Sequence, residues 1–370
     1  MILTAYNLQN YILQRNFYGF LGDIENILES DFSKITFQNI DSSSPRNTLL
    51  LCEINGGGKF VFKQPKFLTN GATWYIIKES KFYQNFVNNE KIYITNSYWF
   101  DDNYNILILP YFERFELKLP LEVQKEIIQL PKFLGEELAS FHSELKQHTH
   151  LYFKNFADNF QPTYQIFIRQ LIQGYKSPSF LDENLFRNWV KMKSPVPKNI
   201  LYVFLWKKSI SEALEKIFSI SNESQIIHGD LKKENLLIDG SNLKFIDFES
   251  FSLGDVAWDL ACLAESYLSS VLFRNNLDAT QRFTFFDNLI TNYVEKAKLS
   301  SEKKEDIYER TLIFYALRLL ESFRNILLTK YIDVNLPIIE LILIRHNEIS
   351  KGLLRKDDKT IEAIFKYADK

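Results

Sequence analysis

Between residues 226 and 261 the chain reads IIHGDLKKENLLIDGSNLKFIDFESFSLGDVAWDLA, and this stretch limits the possible folds more than any other. An apolar pair leads into His228-Gly229-Asp230, and Asn235 stands five residues after that aspartate. Leu236-Leu237-Ile238 is an apolar run closed by Asp239-Gly240, a hairpin turn signal. A second strand, Leu243 to Ile246, then delivers Asp247. The hairpin sets the separation of two carboxylates and an asparagine. Phosphoryl transfer uses such a set: one carboxylate takes the proton of the accepting hydroxyl, while the asparagine and the second carboxylate hold Mg²⁺ on the nucleotide phosphates.

Taken in order, HGDLKKENLLID, LKFIDFE and LGDVAWDLA resemble the catalytic block of the aminoglycoside phosphotransferase and choline kinase family, a branch of the protein-kinase-like fold. The resemblance implies Asp230 as catalytic base, Asn235 and Asp247 as Mg²⁺ ligands, and His228 as a brace for the catalytic loop. The run from Asp230 to Asn235 also looks like the D-L-K-P-E-N of protein kinases, which implies Lys232 beside the γ-phosphate. Other polar residues here have plainer uses. Asp239-Gly240 is a turn, Asp255 caps a helix, and Asp259, one turn later, braces the catalytic loop.

At 370 residues the chain is long for one core, so two lobes are expected. A formal net charge of −2 gives no footprint for nucleic acid. Cys52 and Cys262 each lie inside an apolar run and read as buried thiols, with no disulfide or metal pattern. The first residues carry no basic leader, and no uncharged apolar stretch reaches the ~18 residues that a membrane span needs. A cytoplasmic protein working with ATP is expected.

Residues 5–29 show helical periodicity, and residues 1–30 are expected as a helical extension. Residues 31–112 are expected to form the nucleotide-binding lobe. Strands are expected over Ile35–Ile40, Thr48–Ile54 and Lys59–Lys63, with Asn55-Gly56-Gly57-Gly58 as a hairpin turn rather than a phosphate loop. The loop expected to cover the phosphates joins the first two strands, Asp41 to Asn47, and contains no glycine. Ser43, Ser44, Arg46 and backbone N–H groups are its candidate contacts. Lys63 ends the third strand. In kinases such a lysine grips the α/β-phosphates and is held by a helical glutamate, here Glu79 on a helix over Ala72–Phe86, with Glu90 as a weaker alternative. Strands over Ile92–Phe100 and Tyr104–Leu109 lead to Pro110-Tyr111. Backbone groups from Leu109 to Tyr111 are expected at the adenine edge, with Tyr111 lining the base pocket.

Residues 113–370 are expected to form a mainly helical lobe for catalysis and acceptor binding. Its first helix, Leu121–Leu145, carries LGEELASFH, which resembles the L-G-x-x-L-A-x-L-H of the same family; His142 there reads as a packing and hydrogen-bonding residue. His148-Thr149-His150 lacks the spacing of a metal pair. Residues 151–208 resemble nothing else in particular, but 151–200 carry seven cations against three anions. A site for a polycationic antibiotic should be lined with carboxylates, so this excess fits an anionic metabolite or an acidic peptide better. Helices are expected over Ser209–Ser219, Trp258–Phe273, Ala279–Lys298, Glu305–Leu328 and Leu336–Leu354, with Arg318 and Arg324 paired to carboxylates.

The expected class is therefore α+β, a bilobal protein-kinase-like fold with a small antiparallel sheet and helix in the N-lobe and a larger helical C-lobe. The expected reaction moves the γ-phosphoryl of ATP, with Mg²⁺, to a hydroxyl of a small metabolite. Two alternatives stand beside it. FVFKQP around Lys63 and the position of Lys232 look like the kinase components of split lanthipeptide synthetases, which implies a Ser or Thr of a precursor peptide as acceptor. The missing loop glycines also leave room for a nucleotide-binding pseudokinase scaffold. Neither nucleic acid nor membrane is expected as a partner.

Overall fold

Alternating apolar residues from Ile35 onward form strands because their side chains then share one buried face. In the computed structural model, residues 2–14, 35–40, 46–54, 58–67, 70–86, 93–95, 98–114, 123–149, 165, 169, 225–239, 242–274 and 279–329 are described. Five strands, β1 (Ile35–Asn39), β2 (Asn47–Ile54), β3 (Lys59–Pro65), β4 (Trp99–Asp101) and β5 (Ile106–Pro110), make one sheet in the order β1-β2-β3-β5-β4. Every pairing in it is antiparallel. Helix α1 (Ala5–Gln14) supplies Leu8, Tyr11 and Ile12 to a core shared with Leu50, Cys52, Phe62, Ile106 and Ile108. The Tyr11 hydroxyl donates to Asp101 Oδ2 at 2.8 Å, which satisfies both polar groups inside that core.

Helix α2 (Asn70–Phe86) follows β3. A second small sheet joins β6 (Glu113–Arg114), β8 (Leu236–Asp239) and β9 (Asn242–Phe245) in the order β6-β8-β9. Asp239 faces Asn242 across the expected hairpin. The chain divides into two compact units, 1–116 with 234–251, and 117–233 with 252–370. The hairpin that carries Asn235 and Asp247 therefore belongs to the first unit with the five-stranded sheet, although it was expected within 113–370.

The second unit contains α3 (Val123–Lys146), a two-stranded ribbon of β7 (Gln225–Ile227) and β10 (Ser252–Gly254), and helices α4 (Val256–Arg274), α5 (Ala279–Lys296) and α6 (Ser301–Thr329). Gly135 of α3 lets α5 come very close: a Cβ there would lie 2.4 Å from the Leu289 carbonyl oxygen. Packing thus accounts for the glycine in LGEELASFH. Arg310 of α6 forms a buried pair with Asp255 at 2.7 Å, and Arg318 pairs with Glu265 at 3.2 Å.

Strand boundaries moved most between residues 92 and 100. Among the described residues there, only those of Trp99–Asp101 are strand, and the Tyr93 carbonyl instead accepts from Phe245 N at 2.8 Å while Lys244 Nζ reaches the Ile94 carbonyl. Elsewhere β3 runs on to Pro65 and α6 starts four residues earlier than expected, at Ser301. The expected helices over 209–219 and 336–354, the Gly56-Gly57 turn and nearly all of 151–208 lie outside the described residues.

Candidate functional site

In the first unit, β3 ends by placing Lys63 where the sheet meets α2. Lys63 Nζ lies 2.6 Å from Glu79 Oε2 and 3.5 Å from Glu249 Oε2, and it also bonds Asp247 Oδ1. Glu79 is fully buried and Lys63 nearly so, with side-chain exposures of 0% and 7%. Burial works against the lysine charge, but Asp247, Glu79 and Glu249 outweigh it and hold its pKa well above the ordinary value. Burial pushes the Glu79 carboxyl upward against the pull of Lys63.

Asp247 arrives from β9 in a left-handed conformation, φ 68° and ψ 51°, and opens a single 3-10 turn over Phe248–Ser250. A non-glycine residue held there stores roughly 1–3 kcal/mol of strain, so its surroundings must fix it. Phe248 provides the fixing. It is fully buried and stacks on Phe82 of α2 at 3.9 Å, beside Phe251. With Phe248 turned into that aromatic cluster, Asp247 and Glu249 flank it and both reach Lys63.

Glu249 also meets the start of β2. Its Oε1 lies 3.2 Å from Arg46 Nη1 and its Oε2 accepts from Asn47 Nδ2 at 3.2 Å. Arg46 sits over the Tyr75 ring, 5.0 Å from its centre, and its carbonyl accepts from Lys66 N at 2.8 Å. Glu79, Asp247 and Glu249 each offer an oxygen, and these atoms lie within 4.8 Å of one another. Three hard oxygen donors beside a lysine suit Mg²⁺ carried on a phosphate. Asn235 is buried at the start of β8, where its carbonyl accepts from Ile246 N at 3.1 Å. Ser43 and Ser44 lie outside the described residues. Leu109 faces Val61 in the β3–β5 ladder, and the Tyr111 amide donates to the Lys59 carbonyl at 2.8 Å, so that amide is spent inside the sheet.

In the second unit, β7 leads into His228-Gly229-Asp230. Asp259, one turn into α4, accepts from His228 N at 2.7 Å and from Gly229 N at 2.9 Å. Its Oδ2 also lies 3.1 Å from His142 Nε2, and His142 Nδ1 lies 2.9 Å from the Tyr293 hydroxyl. The Trp258 indole N–H donates to the Gly229 carbonyl at 2.8 Å. Gly229 needs its missing side chain, since its φ is 85°. The turn that these bonds hold presents Asp230, half-buried, with Lys232 Nζ 3.0 Å from its Oδ2. His228 is fully buried, and its Nδ1 lies 3.4 Å from Asp230 N.

Glu249 and Asn47 escaped sequence reasoning. The signal for Glu249 was its spacing in Asp247-Phe248-Glu249, two carboxylates on either side of an apolar residue that can anchor between them.

The model of the phosphotransferase enzyme family matches residues 132–295. No curated protein matches the chain. Among solved structures, an ADP-bound aminoglycoside phosphotransferase, APH(2'')-Ib, is similar at a TM-score of 0.53 and 13% identity, covering 90% of this chain and 99% of its own. Choline kinase from Cryptosporidium parvum is similar at a TM-score of 0.52 and 13% identity, covering 97% of this chain and 96% of its own. A choline/ethanolamine kinase family protein from Mesorhizobium loti gives 0.52 and 13%, covering 98% of each chain. The fold is thus the protein-kinase-like α+β fold, and the family resemblance carried by residues 226–261 agrees with the family match.

Proposed function

We propose that this chain, whose residues 132–295 match the phosphotransferase enzyme family, transfers the γ-phosphoryl group of Mg·ATP to a hydroxyl group of a small metabolite. One observation carries the proposal: Lys63 is gripped by Glu79 on α2 and bonded to Asp247 after β9, the arrangement in which a lysine can hold α/β-phosphates while an aspartate holds the metal. It also speaks against a scaffold that has lost its catalytic parts.

ATP supplies the phosphoryl group, and Mg²⁺ supplies charge neutralisation on it. Asp247, Asn235 and Glu249 are the oxygen donors suited to the metal. Lys63, fixed by Glu79, steadies the phosphates, with Arg46 as a second cation. Asp230 orients the acceptor hydroxyl and takes its proton. Lys232, paired with Asp230, offers positive charge for the transferring group. His228, Asp259 and Trp258 hold the loop so that Asp230 does not reorganise during the reaction. Leu109 and Tyr111 are assigned to the base, Tyr111 through its ring because its amide is engaged.

The charge excess of residues 151–200 favours an acceptor that bears a negative group. A peptide Ser or Thr is the second reading, supported by the Lys232–Asp230 pair at 3.0 Å, the arrangement expected of a D-L-K catalytic loop. Release of ADP from Mg·ATP, measured with a panel of neutral, cationic and anionic hydroxylated compounds and with Ser-rich acidic peptides, tests both. Stimulation by anionic small molecules is expected. Stimulation by peptides alone would select the second reading, and no turnover with any acceptor or with water would contradict both.

A further inference from the structure

Glu249 occupies an unusual position for a carboxylate. Its two oxygens receive Arg46 at 3.2 Å, Asn47 at 3.2 Å and Lys63 at 3.5 Å, three donors from the starts and ends of adjacent strands β2 and β3. These are the groups that a phosphate would need. A planar anion set between an arginine and a lysine satisfies the same donors that phosphate oxygens would satisfy. Arg46 is 58% exposed along its side chain, yet it is oriented, lying against the Tyr75 ring with its head on Glu249. Glu249 itself is only 11% exposed and has Phe248 fixed beneath α2 behind it.

Charge makes the arrangement conditional. Glu79, Asp247 and Glu249 crowd around Lys63, with Arg46 at the edge. Without a divalent cation, Glu249 is best satisfied by Arg46, Asn47 and Lys63. A cation held by Asp247 and Glu249 would satisfy the Glu249 charge there and free those donors for a phosphate, while Glu79 keeps Lys63.

We propose that Glu249 is a positioning residue that acts as a resident stand-in for phosphate. It occupies Arg46, Asn47 and Lys63 until a divalent cation draws it off, and so makes nucleotide binding depend on the metal. The inference rests on the Mg·nucleotide reading above and adds to it a device that excludes metal-free nucleotide. Such a device matters for an enzyme whose active substrate is the metal complex, because free nucleotide would otherwise compete.

Calorimetric titration of ADP into the full chain, with and without Mg²⁺, tests it. Wild type should gain about tenfold or more in ADP affinity on adding Mg²⁺. Glu249→Gln should bind metal-free ADP several-fold tighter than wild type, and its gain from Mg²⁺ should shrink accordingly. Arg46→Gln, at an exposed position, should move the other limb: metal-free affinity nearly unchanged, affinity with Mg²⁺ several-fold weaker. A Glu249→Gln protein with unaltered or weaker metal-free affinity would overturn the proposal. So would an Arg46→Gln protein that loses affinity equally in both conditions. If Glu249→Gln does not fold, as judged by circular dichroism, the Arg46→Gln limb decides alone. Wild type that binds ADP with no Mg²⁺ dependence overturns the stand-in role and leaves the kinase reading; wild type that binds no nucleotide overturns both.

Discussion

Lys63 is the residue on which the first unit's electrostatics turn. Replacing it with Met leaves Glu79 buried without its cation, and removing one member of a buried pair costs about 3–5 kcal/mol. Lys63→Met should therefore melt well below wild type, and adding Glu79→Leu should recover part of the loss; equal melting temperatures would contradict a buried pair. Lys78, the neighbour of Glu79 in sequence, is nearly buried, and burial pulls its pKa down from 10.5 to about 7 against the opposing field of Glu249. The unfolded chain then holds one more proton than the folded chain between those two values, so this group makes stability rise as pH climbs from about 7 towards 10.5. Lys78→Met should be more thermostable than wild type at pH 7, with the advantage fading as pH is raised. A difference independent of pH would exclude the titration.

Among elements, α2 and the 3-10 turn over Phe248–Ser250 act as one piece, through Phe82 and Phe248 stacked at 3.9 Å. Phe82→Ala should cost about 3–5 kcal/mol by leaving a cavity. It should also release Asp247 from its left-handed conformation, so Mg·ADP affinity should fall although residue 82 touches no ligand; unchanged affinity in a folded variant would separate the turn from the helix. Gly135→Ala should destabilise by about 1–3 kcal/mol, because its methyl would meet the Leu289 carbonyl. Thermal melts of that variant check the α3–α5 approach. Strands β2, β3 and β5 were legible because short apolar runs bounded by turn residues read as buried strands, continuously buried in the case of Ile106 to Leu109. The strand expected over 92–100 was not, since the bond from Phe245 N to Tyr93 O depends on a segment some 150 residues further on.

For the whole molecule, the run from His228 to Asp247 stood out in the sequence because the chemistry proposed for it needs fixed residue types at fixed spacing, and His228, Asp230, Asn235 and Asp247 have that spacing. Lys63 and Glu79 could be picked out because a strand lysine followed by a helical glutamate is a long-range pair with few competitors, and the structure joins them at 2.6 Å. Glu249, Asn47 and the grouping of the 234–251 hairpin with the five-stranded sheet depended on a backbone turn and on packing between distant segments, which local pattern does not encode. The most direct test of phosphoryl transfer by this chain is a paired measurement on Asp230→Asn: affinity for Mg·ATP and rate of ADP release. The account predicts affinity within about threefold of wild type and release slower by roughly 10²–10⁴-fold, the loss expected when a general base is removed. Turnover that survives in Asp230→Asn would contradict it.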